Sequence, residues 1–182
     1  MIGLASAAYW TFAVDHLQHD GGLSSADSRW FLGVVGVASL LSTFTGDLVR
    51  RLGGRAVFTA AALLEAASLA LLAIAPWSLA AAMVSAVLFG AAYNSVVAVE
   101  ALWSAHLYPE RPSLGLATAM AANAAGLLCG PLASGVLADA VGLTDVLLGG
   151  AVIAAGAAVL APRIAIVAGE RRTVAELSAR CA

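Results

Sequence analysis

Long apolar runs separated by short polar stretches dominate the chain. Five of these runs are clear, and a sixth at the start is weaker because Tyr9, Trp10 and Asp15 interrupt it. A helix needs about 20 mostly apolar residues to cross a bilayer. The pattern therefore predicts six spanning helices in a bundle over residues 1–165, at about 2–17, 30–49, 56–75, 78–105, 114–138 and 146–161. Residues 166–182 are predicted to form a tail outside the membrane.

The apolar runs favour helices over strands. They are rich in Ala, Leu and Gly and lack the alternation of apolar and polar residues that marks a membrane barrel. A helix also satisfies its own backbone hydrogen bonds in lipid. A secretory signal peptide is the competing interpretation of residues 2–17, but no basic segment precedes the run. The predicted fold class is therefore an all-α integral membrane protein.

The composition agrees with a protein dissolved in lipid. Of the 182 residues, 62% are hydrophobic and 11% are charged, whereas soluble domains carry about 25% charged residues. The two cysteines, Cys129 and Cys181, suggest neither a disulfide nor a metal site. We expect no cofactor, no metal and no nucleic-acid partner.

The sequence gives little support for an enzyme. His16, His19 and His106 all fall near predicted helix ends, where they cannot pair with a serine inside the bundle. The motifs G-x-S-x-G and H-E-x-x-H and a phosphate-binding loop ending in Gly-Lys-Ser/Thr are all missing. We therefore expect a non-enzymatic membrane protein.

The arginines predict the orientation. The chain has no lysine, and six spans place eight of its nine basic residues on one side, with only Arg29 on the other. Basic residues concentrate on the cytoplasmic side, so both termini are expected in the cytoplasm and the protein in the plasma (inner) membrane. Trp30, Trp77 and Tyr108 fall at predicted interfaces, where aromatic residues are common.

A short motif recurs in the chain. Residues 46–53 and 135–142 both read G-x-L-x-x-x-x-G, each in the second helix of a three-helix unit. Arginines follow the first copy and aspartates accompany the second, as expected for two units inserted in opposite directions. Inverted three-helix repeats are a known transporter architecture.

Two segments resemble signatures of the major facilitator superfamily. Residues 46–55, Gly-Asp-Leu-Val-Arg-Arg-Leu-Gly-Gly-Arg, are similar to its cytoplasmic loop signature, although Arg50 stands where an acid is expected. Residues 126–135 are similar to its Gly-Pro helix motif. The resemblance implies helices seven to twelve of a twelve-helix transporter, that is, the carboxy-terminal half of the fold.

Both motifs have a physical interpretation without the family. The loop is a candidate gate, in which arginines bind helix ends and Asp47. The alternative is that its arginines serve only as a positive-inside anchor. The residues of this loop are Gly46, Asp47, Arg50, Arg51, Gly53 and Arg55. The second motif predicts close helix packing and a kink, through Gly126, Gly130, Pro131 and Gly135.

The resemblance implies that the first and fourth spans line a central cavity. The candidate cavity residues on these spans are Tyr9, Phe12, Asp15, Tyr93, Asn94 and Glu100. Glu100 is a candidate for proton exchange, because the protonation of a carboxylate responds to its surroundings. The alternative is that Glu100 reaches the cytoplasmic interface or bonds Ser104. Glu65, on a span that is peripheral in this family, is interpreted first as a hydrogen-bonding residue within the bundle.

The functional hypothesis is secondary active transport of a small organic molecule, with proton-coupled efflux as one form of it. The alternative is a truncated or partner-dependent membrane subunit without transport activity of its own. The expected partners are the lipid bilayer, the small-molecule substrate and a second six-helix half, supplied by a homodimer or by a separate chain. Neither the substrate nor the direction of transport can be read from these residues.

Overall fold

The computed structural model describes residues 1–161, and every regular element in that range is helical. Seven α-helices follow one another, with a short 3₁₀ segment, Leu40–Phe44, between α2 and α3. The helices are α1 Ile2–His19, α2 Ser25–Ser39, α3 Thr45–Leu52, α4 Gly54–Ile74, α5 Leu79–Leu107, α6 Pro112–Val141 and α7 Leu143–Val159. The predicted tail over 166–182 lies outside the described residues.

Four stretches of this bundle are long and apolar enough to cross a membrane. They are Ser25–Leu52, which joins α2 and α3, together with α4, α5 and α6. Helix α7 is a shorter apolar helix of 17 residues. An all-helical membrane architecture is thus confirmed, whereas the count of six spans stays a prediction.

The second helix begins at Ser25, five residues before the start predicted at residue 30. A capping box explains the earlier start, because Asp27 N donates to Ser24 Oγ and Ser24 N donates to Asp27 Oδ2, each at 3.2 Å. These bonds satisfy backbone N–H groups that a helix otherwise leaves free at its amino end.

The 3₁₀ segment between α2 and α3 coincides with hydroxyl side chains that bond back to the helix. Ser39, Ser42 and Thr43 donate to the carbonyls of Val35, Ser39 and Leu40 at 2.9, 2.7 and 2.8 Å. Such bonds compete with regular helical hydrogen bonding and often bend a helix. The interruption therefore has a local cause in the sequence.

The two copies of the G-x-L-x-x-x-x-G motif end in the same backbone conformation. Gly53 has φ 87° and ψ 148°, and Gly142 has φ 93° and ψ 161°. Each glycine ends one helix and immediately precedes the next, since α4 follows Gly53 and α7 follows Gly142. Glycine adopts positive φ without a steric penalty, which explains its presence at both corners.

Helix α4 lies at the centre of the packing, against α5 and α7, while α1 packs against α6 and α7 and α2 packs against α5. Two groups of buried side chains fill the bundle. One contains Tyr9, Phe31, Leu69, Phe89 and Leu147, and the other contains Phe58, Val96, Val99 and Trp103. The apolar faces of α2 and α6 remain largely exposed, notably Trp30, Val37, Leu128, Leu132 and Val136.

Glycines allow α1 to lie very close to α6. A Cβ added to Gly3 would collide with the backbone oxygen of Asn123, and one added to Gly130 would collide with Cβ of Ala7. A Cβ added to Gly126 would lie 2.8 Å from the backbone N of Leu4. Small residues permit this contact between spanning helices. Helix α6 continues through Pro131 to Val141.

We predict that Gly130→Val destabilises the bundle by about 1–3 kcal/mol, the usual cost of forcing extra methyl groups into a packed contact. The matched control is Gly149→Val on α7, where an added Cβ meets nothing within 4 Å. Thermal unfolding of the purified protein in detergent measures both. Equal loss of stability in the two variants would contradict the close α1–α6 contact.

Candidate functional site

A cleft of about 360 Å³ opens where α5 ends and α6 begins, beside the first turn of α1. Four helices contribute to its wall: α1 gives Ile2 and Gly3, α4 gives Phe58, α5 gives Glu100, Trp103, Ser104 and Leu107, and α6 gives Ala119, Ala122 and Asn123. Most of these side chains are apolar. The cleft therefore combines an apolar wall with a few polar groups, as small-molecule sites usually do.

Two polar atoms of residues that line this cleft lack a hydrogen-bond partner among the described residues. They are Oε2 of Glu100 and Nε1 of Trp103, both shielded from solvent. The two residues are three apart on α5, so their side chains lie on one face of the helix. A buried donor or acceptor without a partner costs about 1–3 kcal/mol. A ligand that supplies both partners would recover that energy.

Ser104 does not satisfy the Glu100 carboxylate. Its hydroxyl donates instead to the backbone carbonyl of Glu100, at 2.8 Å. Ser104 and Glu100 are thus hydrogen-bonded to each other, through the Glu100 backbone and not through its carboxylate. Oε2 of that carboxylate has no hydrogen-bond partner within residues 1–161.

Asn123 connects the cleft to an aromatic group deeper in the bundle. Its Nδ2 donates to the hydroxyl of Tyr93 at 3.3 Å and so joins α6 to α5. The Tyr93 ring is parallel to that of Phe89 with centroids 5.8 Å apart, and Trp10 meets both rings edge-on at 5.4–6.0 Å. Trp10 is 48% exposed. Asn123 thus joins the cleft to this aromatic group.

Tyr9 lies inside the core. Its ring stacks on Phe89 with centroids 3.7 Å apart, and its hydroxyl is 3.0 Å from Ser85 Oγ. Ser85 in turn donates to the carbonyl of Ser68 at 2.8 Å. With 2% of its surface exposed, Tyr9 joins α1 to α5 and lines none of the cavities described here.

Glu65 is fully buried in α4 and bonds α1. Ser6 Oγ donates to Glu65 Oε1 at 2.5 Å and also lies 2.9 Å from the carbonyl of Ile2. The other carboxylate oxygen, Oε2, has no partner among the described residues. The expectation that Glu65 bonds within the bundle fits this geometry.

The remaining predicted cavity residues lie away from the cleft. Phe12 is half-buried and faces Gly135 of α6, whose added Cβ would lie 3.9 Å from it. Asp15 is exposed and pairs with His19 at 2.8 Å.

Asn94 donates to Ser39 Oγ at 3.0 Å and to the carbonyl of Gly90 at 3.3 Å, which joins α5 to α2. Of the predicted cavity set, Glu100 alone lines the cleft, and Tyr93 reaches it through Asn123.

The predicted gating residues lie on α3, at Gly53 after it, and, for Arg55, at the start of α4. Arg50 pairs with Asp47 one turn earlier, and both side chains are exposed, so the pair contributes little to stability. Arg51 and Arg55 are exposed, and no ion pair joins either to a carboxylate within residues 1–161. Within the same range, no group of three or more His, Cys, Asp and Glu side chains is placed to hold a metal ion.

Sequence reasoning missed Trp103, Ser6 and the role of Asn123 in the cleft. Trp103 had a usable signal, because it follows Glu100 by three residues on one helical face. Ser6 had none, since its partner lies 59 residues away in the chain. As an amide within a span, Asn123 indicated an interhelical hydrogen bond, but not that its partner is Tyr93, 30 residues away. Only the packing of α1 and α6 against α4 and α5 brings them together.

Comparison with known proteins gives one result that covers nearly the whole chain. The family model of the Major Facilitator Superfamily matches residues 1–177. Searches of curated proteins and of solved structures gave no significant match.

Proposed function

The chain belongs to the Major Facilitator Superfamily, a family of membrane transporters, and from this and the cleft we propose secondary active transport of a small amphipathic organic cation. The observation that carries the proposal is a pair of atoms on α5, Oε2 of Glu100 and Nε1 of Trp103, that have no hydrogen-bond partner among the described residues. Glu100 is the sole acidic side chain among the described residues that line the cleft. A cationic molecule with hydrogen-bonding and aromatic groups complements this lining.

Competition for Glu100 would couple transport to protons. A proton and an organic cation cannot both occupy the same carboxylate, so binding of one to Glu100 releases the other. A proton gradient directed inwards would then drive the cation outwards, which is efflux. The cleft lies at the arginine-rich end of the bundle, which we assign to the cytoplasm and from which an exported molecule would be loaded.

The six-helix arrangement is also part of the proposal. The packing supports two equivalent three-helix units. The first contains α1, the combined α2–α3 and α4, and these correspond in order to α5, α6 and α7 of the second. In this correspondence α1 contacts α6 as α5 contacts α2, and Gly53 and Gly142 occupy equivalent corners. A Cβ on Gly90 of α5 would collide with the Val35 carbonyl of α2, much as one on Gly3 would collide with Asn123.

We further propose that a second six-helix unit covers the exposed faces of α2 and α6. These faces carry large apolar side chains, including Trp30 at 72% and Leu132 at 73% exposure. A second copy of the chain or a separate half would complete a cavity of which the Glu100 cleft forms one side. Saturable transport by a strictly monomeric preparation in the assay below would contradict this assembly.

The proposed topology predicts which connections face the cytoplasm. In a background with Cys129 and Cys181 replaced by alanine, we expect Ser24→Cys to react with an impermeant maleimide from outside intact cells. Glu110→Cys should react only after the membrane is opened. The reverse pattern, or labelling of both positions from outside, would contradict six spans with cytoplasmic termini in the plasma membrane.

The transport prediction concerns Glu100. In proteoliposomes with an imposed pH gradient, we expect saturable movement of 3-hydroxyphenyltrimethylammonium in exchange for protons. This is an aromatic cation whose hydroxyl group can donate to Glu100 and accept from the indole N–H of Trp103. Glu100→Gln should reduce this movement about tenfold or more, since a bond to a charged group contributes about 1.5–3 kcal/mol. Affinity should fall as pH falls, because protons compete for the same carboxylate.

The controls for this assay separate charge from fold. Glu110→Gln removes an exposed carboxylate in the turn before α6, outside the cleft, and should leave transport unchanged. Glu100→Asp keeps the charge and should retain part of the rate. Equal rates for wild type and Glu100→Gln, or a rate that does not respond to pH, would overturn the assignment of Glu100.

A further inference from the structure

A second cavity lies on a different side of the bundle from the cleft. Its volume is about 970 Å³, and its walls come from the end of α3, the first turns of α4 and the end of α7. It has no lining residue in common with the cleft. We call it the α4–α7 groove.

The wall of the α4–α7 groove is apolar. Ala56, Ala60 and Leu63 lie at steps of four and three residues on one face of α4, and all three are exposed. Val159 of α7 lies opposite and is 78% exposed. The one hydroxyl among the described residues of this wall already has a partner, because Thr59 Oγ1 donates to the carbonyl of Ala158 at 3.3 Å. The wall therefore suits a hydrocarbon chain.

The mouth of the groove is positively charged. Arg55 lines it and is exposed, and within residues 1–161 no side chain forms an ion pair or hydrogen bond with its guanidinium group. Arg51 lies next to Leu52, another residue of the mouth. The acidic residue of this segment, Asp47, is occupied by Arg50. Residues 47–55 thus carry three arginines against one aspartate, and an anion complements them.

The position of Arg55 along the helix matches the depth of lipid headgroups. Helix α4 has 21 residues, which corresponds to about 31 Å at 1.5 Å per residue. A bilayer's hydrocarbon core is about 30 Å thick. Arg55 at the start of α4 therefore lies at one membrane boundary, and the apolar wall from Ala56 to Leu63 extends from that boundary into the hydrocarbon.

We propose that the α4–α7 groove binds one anionic phospholipid of the leaflet on the arginine-rich side. The phosphodiester lies against Arg55, where a charged group at a membrane surface contributes about 1 kcal/mol, and an acyl chain lies along Ala60, Leu63 and Val159. The bound lipid holds the end of α3 to α4 and α7. This site is independent of the proposed cargo and of Glu100.

The experiment counts lipids retained by the full chain. Protein purified in a mild detergent is incubated with phosphatidylglycerol or phosphatidylcholine, and native mass spectrometry records how many lipids stay bound as activation increases. We expect one phosphatidylglycerol to be retained preferentially. Arg55→Gln should weaken its retention about fivefold, the change that about 1 kcal/mol produces.

Matched variants distinguish the groove from general surface charge and general apolar surface. Arg111→Gln removes another exposed arginine at the same end of the bundle, outside the groove, and should not change retention. Ala60→Trp fills the groove and should abolish preferential retention. Ala67→Trp changes an exposed alanine two turns further along α4, outside the groove, and should have no effect.

Three results would overturn the proposal. The first is equal retention of the anionic and zwitterionic lipids by the wild type. The second is an equal loss of phosphatidylglycerol retention in Arg55→Gln and Arg111→Gln, which would indicate that the lipid is attracted to positive charge in general. The third is a clear gain in lipid retention when the chain is shortened to end at Ala161. That gain would mean that residues 162–182, and not a lipid, occupy the groove in the full chain. Unchanged retention in that shortened chain would support the lipid as the occupant.

Discussion

Close contact between α1 and α6 is the constraint on which the candidate site depends. Gly3, Gly126 and Gly130 remove the side chains that would hold the two helices apart. Because lipid is as apolar as the helix surfaces, such association relies on van der Waals contact and interhelical hydrogen bonds rather than on the hydrophobic effect. The first turn of α1 is thereby fixed beside α6, and Ile2 and Gly3 become part of the cleft wall.

Polar groups inside the bundle fall into two classes with different consequences. Glu65, Tyr9 and Asn94 bond to other helices and hold the bundle together. Glu100 and Trp103 line the cleft, which Glu65 does not, and each has a buried atom without a partner in the described part of the chain, as Glu65 also has. Ionisable residues are costly within membrane segments and often mark transport pathways. The second class therefore suits binding, and the first suits stability.

The fold was largely predictable because lipid restricts the choices. A chain with long apolar runs must form helices in a membrane, and the loop and Gly-Pro signatures indicated the family that the match over residues 1–177 confirms. The start of α2 at Ser25 was missed although a local signal existed, the Ser24–Asp27 capping box. The span was predicted from hydrophobicity alone, and a first helical turn made of polar residues is not detected by hydrophobicity.

The candidate site was only partly predictable, because its members come together through packing. Glu100 was identified from its position as an ionisable residue within a span. Tyr9 was expected at a cavity, yet its contacts with Phe89 and Ser85 place it in the core. Those contacts join residues about 80 positions apart, and neither helical spacing nor residue type reveals them.

The central claim is that a cation binds at the Glu100–Trp103 face of the cleft. The most direct measurement replaces Trp10, Trp30 and Trp77 with phenylalanine, which leaves Trp103 as the only tryptophan, and records its fluorescence during titration with 3-hydroxyphenyltrimethylammonium. The account predicts a saturable change that is weakened by Glu100→Gln and unaffected by Glu110→Gln. A change without saturation, or one of the same affinity in Glu100→Gln, would contradict it.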